Sequence, residues 1–185
     1  MTRSPDPAAE ILRAALFAAR AHAGQVRKGA AAEPYVNHVI EVAAILAEHG
    51  APTEAVLAGL LHDTVEDTAV TQDDLLREFG PAIAAIVAEA TDDKSLPKET
   101  RKALQVREAA RKSEAAKQVK LADKIANLRA IAESPPAGWS HARRMEYVGW
   151  AGRVAEGLFG VNPGLDALFR ETYRAALARL AAEAP

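Results

Sequence analysis

Residues 60–68 read LLHDTVEDT, and four of them can hold a proton or a metal ion: His62, Asp63, Glu66 and Asp67. In a helix, residues four apart lie almost above one another, roughly 40° off in rotation. His62 then lies over Glu66, and Asp63 over Asp67. Three carboxylates in one sector repel and raise one another's pKa. Burying them unpaired at the end of an apolar run is costly. A divalent cation removes the conflict, because His and Asp are good ligands for it and it stabilises their charged forms. One His and one Asp cannot close such a site, so other segments must contribute. His38 interrupts YVNHVIEVAAIL, and Asp123 interrupts VKLADKIANLRAI, with Asn127 four residues on and on the same face. Two histidines and two aspartates, with the remaining positions left to water, form a hard nitrogen and oxygen set. It suits Mn²⁺, Fe²⁺ or Mg²⁺ better than structural zinc.

Simpler roles compete for the same residues. His22 and His49 fall near helix C-termini, where an imidazolium is favoured by the helix dipole, and capping suits both. Asp123 has Lys120, Lys124 and Arg129 within reach along its helix, and Glu66-Asp67 can be read as a solvated helix end. The combination, rather than any one residue, argues for a metal.

The elements that must position these groups are helical almost throughout. AAEILRAALFAARAHAG places Ile11, Leu12, Leu16 and Ala19 at helical spacing before Gly24. A loop, GQVRKGAAAEP, precedes a second helix that Gly50 and Pro52 end. Thr53 is the expected N-cap of EAVLAGLLHD, with Glu54 in its first turn. Thr71 and Asp74 form an expected capping pair for a short helix ending at Gly80, and Pro81 opens the next. DDKSLPKE interrupts that helix, two more helical patterns follow, and ESPPAGW is a break. Asn162-Pro163 starts a final helix. No alternating run suggests a strand, and no repeat or low-complexity linker is present. The expectation is an all-α fold of eight to ten short helices in one domain spanning 1–185, with a core over about 8–182.

Length and composition agree. The chain has 185 residues, enough for one sizeable core, and a net charge of -2 that favours neither nucleic acid nor a membrane surface. It has no cysteine, which excludes disulfides and thiolate-ligated metals and fits a reducing interior. The opening MTRSPDPAAE lacks a signal-peptide layout, and no apolar run approaches the roughly 20 residues of a membrane span. A cytoplasmic protein is expected.

The motifs together resemble a known family. A histidine upstream, HD after an apolar helix and an aspartate downstream form the pattern of the HD phosphohydrolase superfamily. AHAGQVRKG, EPYVNHVIEVA, LLHDTVEDT, TDDKSLPK, VKLADKIANLR and GWSHARRMEY are similar to the hydrolase domain of RelA/SpoT alarmone enzymes. The similarity is strongest to the small, hydrolase-only members resembling metazoan SpoT homologues, and it runs in order from about residue 10 to 175. It implies a compact helical domain that removes the 3′-pyrophosphate from (p)ppGpp. His38, His62, Asp63 and Asp123 take the metal-ligand positions, with one Mn²⁺ the expected ion. Glu66 and Asp67 take the positions that orient and deprotonate the attacking water. Arg27 and Lys28 match a pair contacting base and phosphates, with Tyr35 close by, and Asn127 matches a nucleoside contact. Arg143 and Tyr147 fall on the substrate side. Val39 stands where the family usually has proline, a position that shapes the start of the helix rather than the chemistry. With no synthetase half in the chain, degradation alone is expected.

The segment from Thr91 to Lys120 holds nine Lys or Arg against five acids, a local +4 in a chain of net -2. Most of these charges fit a solvated helix face. Lys94 and Lys98, flanking a proline-containing loop, are the better candidates for phosphate contact. Two other functions stay open on sequence: hydrolysis of another phosphorylated nucleotide, and a catalytically silent alarmone-binding module. Intact Glu66-Asp67 argues against the second.

Overall fold

Side-chain caps start most of the long helices. Asp6 accepts from Ala8 N–H ahead of α1 (Pro7–Ala21), and Ser113 does the same for α7 (Glu114–Glu133). Ser140 caps α8 (His141–Glu156), and Asn162 accepts from Gly164 and Leu165 before α9 (Pro163–Ala182). Thr71 and Asp74 close a reciprocal capping box at α5 (Gln72–Ala90), as their spacing predicts. That helix is broken internally at Gly80, whose φ of 81° and ψ of 173° leave the helical region immediately before Pro81. Between these elements lie α2 (Val36–Glu48), α3 (Thr53–Leu61), α4 (Thr64–Asp67), α6 (Lys98–Glu108) and a 3₁₀ turn at Ala109–Arg111.

The computed structural model describes residues 6–29 and 31–183. The first five residues of the opening segment, Ala30 in the basic loop and the last two residues lie outside it. Among the described residues the fold is all-α, and none of its helices is long and apolar enough to cross a membrane. Two isolated bridges, Val26 with Pro34 and Gly29 with Pro136, tie the basic loop to itself and to the α7–α8 connection.

One local expectation is corrected, and one helix buries a different face from the one its large apolar residues mark. Thr53 is not the N-cap of α3. Pro52 is, with φ -56° and ψ 149°, so the chain turns into the helix one residue earlier and the Thr53 hydroxyl makes no capping bond. Leu12 and Leu16 do not face the core: they are 70% and 51% exposed, while Ala14 and Ala18 are fully buried. An alanine-rich helix is apolar on more than one face, and α1 turns its small residues toward α3 so that the backbones can approach.

The site is organised by α2, α3 and α7, which pack on one another at the centre. All residues of α3 from Ala55 to Leu61 are buried, so the helix delivers His62 from within the core. Gly59 makes this possible. A Cβ there would lie 2.6 Å from Leu46 Cδ1, so any larger residue would force the buried Leu46 side chain to shift where α3 presses on α2, which carries His38. Val39 is fully buried and packs rather than reaching the site.

Candidate active site

Four donor side chains converge from three directions: His38 on α2, His62 and Asp63 in the turn after α3, and Asp123 on α7. Helical geometry does not run unbroken through HDTVED; α3 stops at Leu61 and α4 restarts at Thr64. His62 and Asp63 nevertheless keep right-handed helical dihedrals, and Asp67 N–H still donates to Asp63 C=O at 2.8 Å. The one-turn spacing survives.

His38 Nε2 lies 3.3 Å from Asp123 Oδ1 and 3.6 Å from Asp63 Oδ2. His62 Nε2 lies 3.2 Å from Asp63 Oδ2 and 3.8 Å from Asp123 Oδ1. Ligand atoms about 2.2 Å from a common ion stand roughly 3.1 to 3.6 Å from one another, so these separations match a coordination shell. His62 Nδ1 is 2.8 Å from Gly59 C=O, and donating its proton there leaves Nε2 as a lone pair facing two carboxylates. Such a set of acceptors is stable only around a cation or a shared proton. Burial pulls the His62 pKa down, but the Asp63 and Asp123 carboxylates outweigh it and push it up to about 10. Burial works to raise the Asp63 carboxyl too, yet the His62 imidazole holds it well below the usual carboxylate range. A metal would take the place of that proton. His38, His62 and Asp123 offer ligand atoms within 4.8 Å of one another, and with Asp63 beside both imidazoles the residues fit a divalent ion.

The surrounding groups hold the donors in place. Lys124 Nζ donates to Asp123 Oδ2 at 2.9 Å and sits 4.8 Å over the Trp150 ring, while Asn127 Nδ2 donates to Asp123 Oδ1 at 2.6 Å. Asp123 therefore pairs with Lys124 through Oδ2 while Oδ1 faces the histidines, so the two roles use different oxygens and do not compete. Arg129 pairs with Glu41 instead. Tyr35 donates its hydroxyl proton to Asp63 Oδ2 at 2.6 Å, with Asp67 Oδ2 further off at 3.4 Å. Its ring lies 4.9 Å from the buried His22, whose Nδ1 meets Gln25 Oε1 at 2.8 Å. His22 ends α1 and also supports Tyr35, whereas His49 contacts Ile45 C=O at the end of α2, the capping role expected of it. Tyr35→Phe should weaken metal affinity about tenfold, the size of effect that outer-shell partners exert. Competition against a chelator measures this. Unchanged metal affinity with weaker substrate binding would make Tyr35 a substrate contact only.

Glu66 and Asp67 face different partners. Glu66 Oε2 accepts from Asp92 N–H at 3.1 Å, and Arg101 Nη1 is 3.6 Å from Oε1. Burial raises the Glu66 pKa, which brings its carboxyl closer to neutral pH. Asp67 Oδ1 accepts from Lys94, and its backbone carbonyl accepts from Gln25 at 2.8 Å.

Beside these acids opens a cavity of about 460 Å³, lined among others by Arg27, Tyr35, Asp67, Asn127, Trp139 and Tyr147. Arg27 Nη2 donates to Asn127 Oδ1 at 3.1 Å, which fixes the basic loop over α7. Lys28 is exposed and also lines the cavity. Gly29 allows the loop to approach: a Cβ there would meet Ser134 Oγ at 2.6 Å. The Tyr147 and Trp139 rings stand 5.6 Å apart, and Arg143 covers the other ring contact at 4.3 Å from Trp139. Burial raises the Tyr147 pKa to about 12, so its hydroxyl stays protonated.

Arg143 is exposed over the Trp139 ring without lining the cavity, and the fold also leaves Lys98 aside. It is exposed at the first position of α6 and does not line this cavity. Arg101, three residues on, reaches Glu66 instead. The fold also brings Gln25, Trp139, Lys124 and Arg101 to the site. Trp139 carried a signal, a lone tryptophan in the ESPPAGW break; the others look like ordinary loop or helix-surface residues until folded.

Comparison with known proteins agrees with this arrangement. Residues 14–148 match the HD domain family. The guanosine-3′,5′-bis(diphosphate) 3′-pyrophosphohydrolase MESH1 of Homo sapiens is 47% identical over 169 residues, 90% of this chain and 94% of that protein. MESH1 of Xenopus tropicalis is 50% identical, over 86% of this chain and 90% of its own. A solved structure described as a metazoan ortholog of SpoT that hydrolyses ppGpp superposes with a TM-score of 0.87 at 41% identity, covering 94% of this chain and 97% of that one. The chain belongs to the HD-domain family and, within it, to the MESH1 family.

Proposed function

We propose that this protein is a divalent-metal-dependent hydrolase that removes the 3′-pyrophosphate from guanosine 3′,5′-bis(diphosphate) and its triphosphate form, releasing GDP or GTP and pyrophosphate. The observation that carries the reading is one juxtaposition: the donor atoms of His38, His62, Asp63 and Asp123 sit beside a cavity bearing Arg27, Asn127 and Tyr147, with Asp67 on the shared edge. MESH1 relatives carry this activity in their names, over nearly the whole length of this chain.

His38, His62, Asp63 and Asp123 would hold the ion, with Mn²⁺ our assignment for this hard, mixed donor set. When bound, the cation lowers the pKa of water and offsets charge on the phosphate oxygens. The protein's own side chains do the rest. Glu66, with its raised pKa, and Asp67 orient the attacking water and take its proton. Lys94, paired to Asp67 at the rim, is placed to exchange that carboxylate for a phosphate oxygen. Arg27 and Asn127 present polar groups to the nucleoside, while the Trp139 and Tyr147 rings offer faces to the base.

The reading takes the chain as one hydrolase domain with its core over about 8–182, acting on a soluble nucleotide in the cytoplasm. Protein stripped of metal should not turn over ppGpp, and Mn²⁺ should restore turnover better than Zn²⁺. Equal or better rescue by Zn²⁺ would overturn the Mn²⁺ assignment.

A further inference from the structure

We propose that a second groove, between α8 and α9, binds a nucleoside polyphosphate. The groove encloses about 380 Å³, within the size range of small-molecule sites, and shares no lining residue with the cavity beside the metal donors. Arg153 enters it from α8, and Arg170 and Arg174, one turn apart on α9, enter from the facing side. All three are exposed, and among the described residues none forms an ion pair; the pairs of this region run through Arg144, Arg179 and Glu183. Three guanidiniums outside any ion pair, against the single carboxylate of Glu156, line one small groove in a chain of net charge -2, a composition suited to an anion.

The floor adds a second requirement. The half-buried rings of Phe159 and Tyr173 line the groove, and Tyr173 is held nearly parallel to the buried Phe169 ring at 5.9 Å. Arg170 already lies over the Phe159 ring at 4.3 Å, so the groove supports stacking on a flat cationic and aromatic surface. Gly149 leaves open space at the floor: a Cβ there would meet only Arg153 Nη1, at 3.8 Å. A planar base fits this surface, and the guanidiniums fit its phosphates. Glu156 also lines the groove. A carboxylate repels a bare polyphosphate but accepts hydrogen bonds from ribose hydroxyls, as acidic residues do in dinucleotide sites. The groove therefore selects a nucleotide over inorganic pyrophosphate.

Equilibrium dialysis of the metal-loaded full chain against GTP tests the assignment, since GTP has no 3′-pyrophosphate for the hydrolase to remove. Two equivalents should bind per chain. Arg170→Ala/Arg174→Ala should weaken one of them by tenfold or more and leave the other and the hydrolysis of ppGpp unchanged. Gly149→Leu, which fills the groove from its floor, should block the same equivalent. Arg27→Ala should weaken only the other one. Pyrophosphate should displace GTP from the α8–α9 groove at least tenfold less well than unlabelled GTP does. A single equivalent that Arg27→Ala weakens and the α8–α9 variants leave intact would overturn the proposal. So would pyrophosphate competing as well as GTP, which would reduce the groove to a simple anion site.

Discussion

Asp123→Asn should lose its metal, its activity and a large part of its stability together. Asp123 is buried, gives one oxygen to the two histidines and the other to the buried Lys124. Removing its charge takes a ligand from the ion and leaves the Lys124 ammonium buried without its carboxylate. Burial works against that ammonium, and the Asp123 charge is the main influence that raises its pKa. Breaking one partner of such a buried pair costs about 3–5 kcal/mol. Thermal melts, metal analysis and turnover on the same preparation measure all three losses. The double variant Asp123→Asn/Lys124→Met separates their causes: it should recover much of the stability, having no orphaned charge, yet still bind no metal. Metal content near wild type in Asp123→Asn would remove Asp123 from the ligand set.

Glu66→Gln and Asp67→Asn should behave in the opposite way, keeping the metal while losing catalysis. Each amide preserves shape and hydrogen bonding but cannot take a proton. A fall in kcat of roughly 10²-fold or more is expected, the usual size of a general-base contribution. Glu66 touches Asp92 and Arg101 rather than any donor of the metal cluster, and Asp67 is held by Lys94, with Tyr35 between it and Asp63. Neither contact set depends on the ion. Glu66 is the ion-pair partner of Arg101, so Arg101→Ala combined with Glu66→Gln should add little to the single change. If Asp67→Asn strips the metal, Asp67 is a ligand and this division of roles is wrong.

The metal donors were legible in the sequence because each breaks an apolar pattern at a cost that only a partner can offset. His38 and Asp123 interrupt the buried faces of their helices, and His62-Asp63 end a helix buried from Ala55 to Leu61. The helical class was legible for the same reason: caps at Thr71 and Asn162 and the Gly80-Pro81 break are local chemistry. What depends on packing was not. The motif places Tyr35 only near the nucleotide site, since nothing in a linear sequence aims its hydroxyl at Asp63. Lys98 and Arg101 differ by less than one helical turn, and composition cannot say which of them faces Glu66. Leu12 and Leu16 look like a core stripe, but the close approach of α1 to α3 selects the alanine face. The basic loop was recognisable by its motif, while its position over α7 rests on the Arg27–Asn127 bond and on the Gly29 approach to Ser134, both set by contacts about a hundred residues apart in the chain.

The central claim is the bond that is cut and the ion that cutting it requires. Protein reconstituted with Mn²⁺ and incubated with ppGpp, its products resolved by anion exchange beside a chelator-treated control, addresses both at once. GDP and pyrophosphate should appear in equal amounts, and neither should appear in the control. Release of orthophosphate, or turnover undiminished by removal of the metal, would contradict it.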